Sequence, residues 1–211
     1  MSIAELAREE LRALQPYEAA QQVDSTIRLN ANEAPWNSCA DRFRRPLNRY
    51  PEIRPGALAQ TLGAYFGCDP SRLLVTRGTS EAIDLLIRAF CREGRDNIVT
   101  TTPTFSMYGH YAAVQGAAHR TVATLPEKDF EIDVDAVLEA CDEQTRLIFV
   151  CSPNNPTGSL VPRPALLDLL ERRGDRSAIV VDEAYIEFSG EPSAVELLEA
   201  HPNLVVLRTL S

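Results

Sequence analysis

Apolar side chains recur at Ile3, Leu6, Ala7, Leu11 and Leu14, the spacing of an amphipathic helix that Gln15-Pro16-Tyr17 ends. From there to Pro55 the pattern has no period. Asn30, Asn32, Pro35, Pro46 and Pro51 punctuate it, and so long an irregular stretch is usually functional or a linker. Pro55-Gly56 opens a helix over 57–66. Beyond it, apolar runs of strand character lie at 73–76, 97–101, 119–124, 147–151, 178–182 and 204–207. Helical runs at 80–91, 105–115, 134–141 and 165–173 separate most of them. Pro164 at the first position and Gly174 just past the end sign the last helix. The 80–91 helix is apolar nearly all round, so it should be deeply buried. Strands without polar alternation need cover on both faces. The fold class expected is therefore α/β, a three-layer, mostly parallel sheet covered by helices and preceded by an N-terminal arm.

Composition narrows the function classes. The 211 residues carry 21 Lys+Arg against 30 Asp+Glu, a net charge of −9, which argues against a nucleic-acid footprint. Apolar residues at 45% argue against disorder. No apolar run approaches the roughly 18 residues of a membrane helix. The opening M-S-I-A-E-L-A-R-E-E has acids where a signal peptide needs positive and apolar stretches, so a soluble, cytoplasmic protein is expected. Cys39, Cys68, Cys91, Cys141 and Cys151 form no C-x-x-C pair and read as reduced thiols. His110, His119 and His201 are too scattered for ligands, so no metal site is expected.

In open α/β sheets, ligands bind beyond the carboxyl ends of the strands. After 73–76 comes Arg77-Gly78-Thr79-Ser80-Glu81, which taken alone reads first as an N-cap and turn, and second, through a helix N-terminus and two hydroxyls, as an anion site. After 147–151 comes Ser152-Pro153-Asn154-Asn155-Pro156-Thr157-Gly158. It is a turn-rich connection or a rigid device that aims an amide into the crevice, with an X-Pro bond suited to the cis form. After 178–181 comes Asp182-Glu183-Ala184-Tyr185. A carboxylate at a buried strand tip is costly without a cationic partner, and a solvated strand-end acid is the alternative. Arg208-Thr209-Leu210-Ser211 follows the last run.

The order and spacing of Gly78-Thr79-Ser80, Pro103-Thr104-Phe105, Asn154-Asn155-Pro156-Thr157-Gly158, Asp182-Glu183-Ala184-Tyr185 and Thr209-Leu210-Ser211 resemble fold-type I pyridoxal-phosphate aminotransferases. Leu29-Asn30-Ala31-Asn32-Glu33, Arg49-Tyr50-Pro51-Glu52 and Asp182 to Phe188 bring the likeness closer to the histidinol-phosphate aminotransferase branch. The resemblance covers about Gln15 to Ser211. It implies amino transfer between L-histidinol phosphate and 2-oxoglutarate, with pyridoxal 5'-phosphate as cofactor, in histidine biosynthesis.

The same resemblance assigns roles. Asp182 would pair with the pyridine nitrogen, and Asn155 and Tyr185 with the ring oxygen. Thr79, Ser80, Thr209 and Ser211 would bind the phosphate, and Phe105 would stack on the ring where many relatives have Tyr. Tyr50 would reach the phosphate of a neighbouring subunit's cofactor, implying a homodimer. Tyr17 and Asn32 would contact substrate from an arm that folds over the site. The organisation implied is 1–55 as N-terminal helix and arm and 56–211 as an incomplete large cofactor-binding domain, with the C-terminal small domain missing. The Schiff-base lysine of the family would follow Ser211, leaving no catalytic residue of that kind in this chain. An aromatic aminotransferase, a threonine-phosphate decarboxylase and a non-catalytic truncated cofactor-binding fragment are the alternatives.

Overall fold

Five of the six strand-like runs become strands in the computed structural model: β1 (Asn97–Thr102), β2 (Ala118–Ala123), β3 (Thr145–Cys151), β4 (Ala178–Asp182) and β5 (Leu204–Leu207). The structure describes residues 3–15, 17, 26–27, 29–37 and 47–211; Pro16, Cys39 and Pro46, noted above, lie outside these. The strands form one parallel sheet in the order β2-β1-β3-β4-β5. Its helices are α1 (Ile3–Leu6), α2 (Glu9–Arg12), α4 (Gly78–Phe90), α5 (Met107–Gln115), α6 (Val134–Glu139) and α7 (Arg163–Arg173), while α3 is Gly56–Phe66.

Alternation along the strands splits the core into two layers. Ile98, Leu147, Phe149 and Val180 pack against Ile83 and Ile87 of α4 and Tyr108 and Ala112 of α5. Val99, Ile148, Val150, Ile179 and Val181 pack against Val137 of α6 and Leu166, Leu169 and Leu170 of α7. Both faces are therefore covered, as continuous apolar strands require. Each buried aliphatic side chain contributes roughly 1.5–3 kcal/mol. At the N-terminal edge, the buried Asp96 accepts from the Arg92 amide (2.8 Å), Arg92 Nε (2.9 Å) and Arg146 Nε (3.0 Å), tying the exit of α4 to β3.

The chain divides into two compact units, Met1–Leu14 with Thr76–Ser211, and Gln15–Val75. Helix α3, which the sequence places after a boundary at 55/56, groups with the second unit. In that unit Glu33 accepts from Arg49 Nη1 (2.9 Å) and the Tyr50 amide (2.8 Å), and Asn48 Nδ2 donates to the Ala34 carbonyl (2.7 Å). These bonds tie 33–34 to 48–50. Helix α3 ends at Gly67 in the left-handed region (φ 73°), where glycine is the residue without steric cost.

Two local expectations differ from the structure. Residues 73–76 form no strand. Leu73 is extended, but the segment pairs with no strand among the described residues, and Leu74 is 70% exposed. A ladder needs a partner row of backbone groups, which apolarity cannot supply. The N-terminal helix is also broken in two. At Arg8 the backbone N–H donates to the Ala89 carbonyl (2.9 Å) and Nη1 to the Arg88 carbonyl (3.1 Å), so the end of α4 takes the donor that a continuous helix would use.

Replacing Asp96 leaves two guanidinium groups at a half-buried corner without their acceptor. Asp96→Ala is expected to destabilise the fold by roughly 3 kcal/mol, measured by urea denaturation; a loss below about 0.5 kcal/mol, the usual range for surface changes, would contradict the ion-pair account.

Candidate active site

Strand β1 leads to β2 on one side, and the chain then crosses to β3 on the other. The loops leaving β1 and β3 therefore part, and a crevice opens at the carboxyl edge of the sheet. A cavity of about 200 Å³ lies there, lined by Thr79, Ser80, Phe105, Cys151, Asn155, Asp182, Ala184, Tyr185, Thr209 and Ser211. Every sequence-predicted site residue of this unit is in that lining. Tyr17, Asn32 and Tyr50 belong to the other unit. Tyr17 and Tyr50 are exposed, and Asn32 has a left-handed backbone (φ 52°).

Strand alternation explains why Asp182 reaches the cavity. It shares its face with Ala178 and Val180, toward α5, whereas Glu183 falls on the other side. Asp182 is almost fully buried. Its Oδ2 accepts from the Tyr108 hydroxyl (2.8 Å) and its Oδ1 from the Ala184 amide (3.2 Å). Burial pushes its carboxyl above the usual carboxylate range, and the Tyr108 and Ala184 donors offset part of that. Among the described residues no cationic side chain pairs with it.

The remaining walls come from strand-end loops. Helix α4 starts at Gly78, whose left-handed φ of 75° suits glycine, and no Arg77 side-chain bond caps it. Its first-turn N–H groups carry the positive end of the helix dipole. Thr79 and Ser80 sit on that turn. In the same lining, Thr209 Oγ1 and Ser211 Oγ are 2.8 Å apart. The Asn-Asn pair divides its work. Asn154 is buried and builds the loop, accepting from Thr104 Oγ1 (2.7 Å) and donating to the Pro103 carbonyl (2.9 Å) and Thr157 Oγ1 (2.8 Å). Asn155 is left facing the Tyr185 hydroxyl, with Nδ2 3.5 Å away at the limit of hydrogen bonding. The Ser152–Pro153 and Asn155–Pro156 peptides are cis.

A family model described as aminotransferase class I and II matches residues 18–211. The chain belongs to this aminotransferase family. Proteins named histidinol-phosphate aminotransferase from Vibrio campbellii and Aeromonas hydrophila are 45% and 46% identical to it over 98% and 100% of the chain. The chain spans 59% of the length of each of these relatives. The solved aspartate aminotransferase from Thermus thermophilus with maleate superposes with a TM-score of 0.65 at 28% identity, covering 74% of this chain and 42% of that one.

In this aminotransferase chain, three lining or supporting residues received no site role from the sequence. Tyr108 on α5 is fully buried, stacks on Phe149 (4.8 Å, 18°) and meets Phe105 edge-on (5.7 Å, 84°). Its signal was the need of a buried tyrosine hydroxyl for a partner, but the partner is 74 residues away. Ala184 and Cys151 complete the lining, and burial pushes the Cys151 thiol upward, away from reactivity. Lys128, the one lysine of the sequence, lies in the turn Pro126–Lys128 outside the lining. A second cavity, of about 270 Å³, lies against Val150, Val181 and Leu166 on the other face. Of the two acids in its lining, Glu183 and Glu191, the buried one, Glu183, already accepts from Ser193 Oγ and the Ala194 amide.

Because the folded-state pKa of Asp182 is raised, its contribution to stability is greatest below the unfolded-state pKa and is lost as pH rises through the folded one. Asp182→Asn keeps an acceptor for Tyr108 and removes the buried charge. It is expected to raise the melting temperature of the ligand-free protein at pH 7 by roughly 2–4 °C, with a flatter pH dependence; a lower melting temperature than wild type contradicts this. Tyr108→Phe takes the donor away from a buried carboxylate and should cost about 2 kcal/mol in urea denaturation.

Proposed function

We propose that the protein transfers an amino group between L-histidinol phosphate and 2-oxoglutarate with pyridoxal 5'-phosphate as cofactor, and that this chain supplies the cofactor cradle. The observation that carries the reading is Asp182, a desolvated carboxylate held by Tyr108 at a cavity floor and lacking a cation among the described residues. A protonated pyridine nitrogen is the partner such a group needs. The other donors fit the same molecule. A helix N-terminus with Thr79, Ser80, Thr209 and Ser211 suits a phosphate, and the Asn155 amide and Tyr185 hydroxyl suit a ring oxygen. The names of the 45–46% identical relatives support the substrate.

When bound, the cofactor supplies an electron-withdrawing ring that accepts the electron pair released at the substrate carbon. Asp182 would hold the proton on the ring nitrogen, and Tyr108 keeps that carboxylate aimed. Phe105 would cover the ring and exclude water from it. Asn155 and Tyr185 would fix the ring's orientation from its oxygen side. Tyr17 and Asn32 would meet substrate, and Tyr50 would serve the cofactor phosphate of a second subunit in a cytoplasmic homodimer. Residues 56–211 would form part of the large cofactor domain, and 1–55 the helix and arm.

Two measurements test the reading. Equilibrium dialysis against pyridoxal phosphate should give saturable binding that Asp182→Asn weakens about tenfold, or roughly 1.4 kcal/mol. The protein as it occurs in the cell should form glutamate from 2-oxoglutarate when given histidinol phosphate. Turnover of an aromatic amino acid or of threonine phosphate in its place would redirect the substrate assignment, and no saturable cofactor binding would overturn the cradle.

A further inference from the structure

Strand β5 is the outermost described strand on its side of the sheet, and its ladder ends where Leu207 pairs with Asp182. One more backbone bond, from the Glu183 amide to the Leu207 carbonyl (3.0 Å), closes the register. Beyond it, Thr209 and Ser211 must still be delivered to the cavity lining.

The side chain at the junction is Arg208, which is 13% exposed. Its Nη1 donates to Ser193 Oγ (3.2 Å) and lies 3.6 Å from Glu183 Oε2, while Nη2 donates to Glu187 Oε1 (2.5 Å). Glu183 is itself fixed, accepting from the Ala194 amide (2.7 Å) and Ser193 Oγ (2.5 Å). Extended backbone alternates its side chains. Leu207 packs in the layer toward α4 and α5, and Arg208 meets Glu183 on the opposite side. Thr209 and Ser211 then return to the cavity. The same alternation places Asp182 in the cavity and Glu183 in the clamp.

We propose that Arg208 is a positioning residue: its clamp to Glu183, Ser193 and Glu187 sets the register of the segment after β5, so that Thr209 and Ser211 line the cavity with Thr79 and Ser80 and recognise a phosphate. This rests on the reading of that end of the cavity as the cofactor's phosphate site. It adds a residue that touches no ligand and acts through two that do.

The test compares two probes that differ by the phosphate alone, pyridoxamine 5'-phosphate and pyridoxamine, by calorimetric titration. Wild type should prefer the phosphorylated probe. Arg208→Met should lose about tenfold in affinity for it while changing less than about twofold toward pyridoxamine. Glu187→Gln separates position from charge. It removes a negative charge near the site, so a purely electrostatic role for Arg208 predicts tighter phosphate binding, whereas loosening the clamp predicts binding about threefold weaker. Arg208→Lys, which keeps the charge but not the fork, should fall between wild type and Arg208→Met. If Arg208→Met fails to fold, Glu187→Gln and Arg208→Lys still decide. Equal losses for both probes, an unchanged preference, or tighter phosphate binding by Glu187→Gln overturns the proposal. A wild type with no preference for phosphate overturns the cradle reading itself.

Discussion

The hydrogen bond from the Tyr108 hydroxyl to the Asp182 carboxylate joins the two halves of the site. A carboxylate at the tip of a central parallel strand has lost its water, and burial alone pushes it toward the neutral form. Tyr108 supplies a neutral donor from α5, itself held by the Phe149 ring. The result is a group that is kept aimed and partly compensated, but still short of a cation among the described residues. That deficit is a cost to the ligand-free fold, and under the proposed function a protonated ring nitrogen would meet it. Stability and binding therefore pull on the same side chain in opposite directions.

Around it, the topology does the placing. The strand order reverses between β1 and β3, which separates the loops carrying Phe105 and Asn155 and leaves room between them. The other polar networks are kept away from this opening. Asp96, Arg92 and Arg146 close the opposite edge of the sheet, and Glu183, Glu187 and Arg208 sit on the other face. Each is internally paired. The charge left uncompensated among the buried acids described is Asp182.

Much of this was legible along the chain. Continuous apolar runs at 97–101, 147–151, 178–182 and 204–207 announced covered strands, and residues just after them line the cavity. Legibility failed wherever a second segment decides. Residues 73–76 have strand character and no partner among the described residues; Arg8 gives its N–H to α4; Tyr108 finds its acceptor on a distant strand. Asn154 and Asn155 are chemically identical in the sequence, and the loop alone settles that one is a strut and the other faces the cavity.

By itself, the sequence determined the class of the fold, the order of its elements and the residue types offered at each strand end, because period and turn chemistry are local properties. The tertiary structure decided which of those residues meet. It brought Thr79, Phe105, Asn155, Asp182 and Thr209 from five separate segments to one cavity, and it turned Glu183 and Arg208 away from it. The physical reason is that burial and pairing depend on the strand opposite, and no stretch of chain carries its own neighbour.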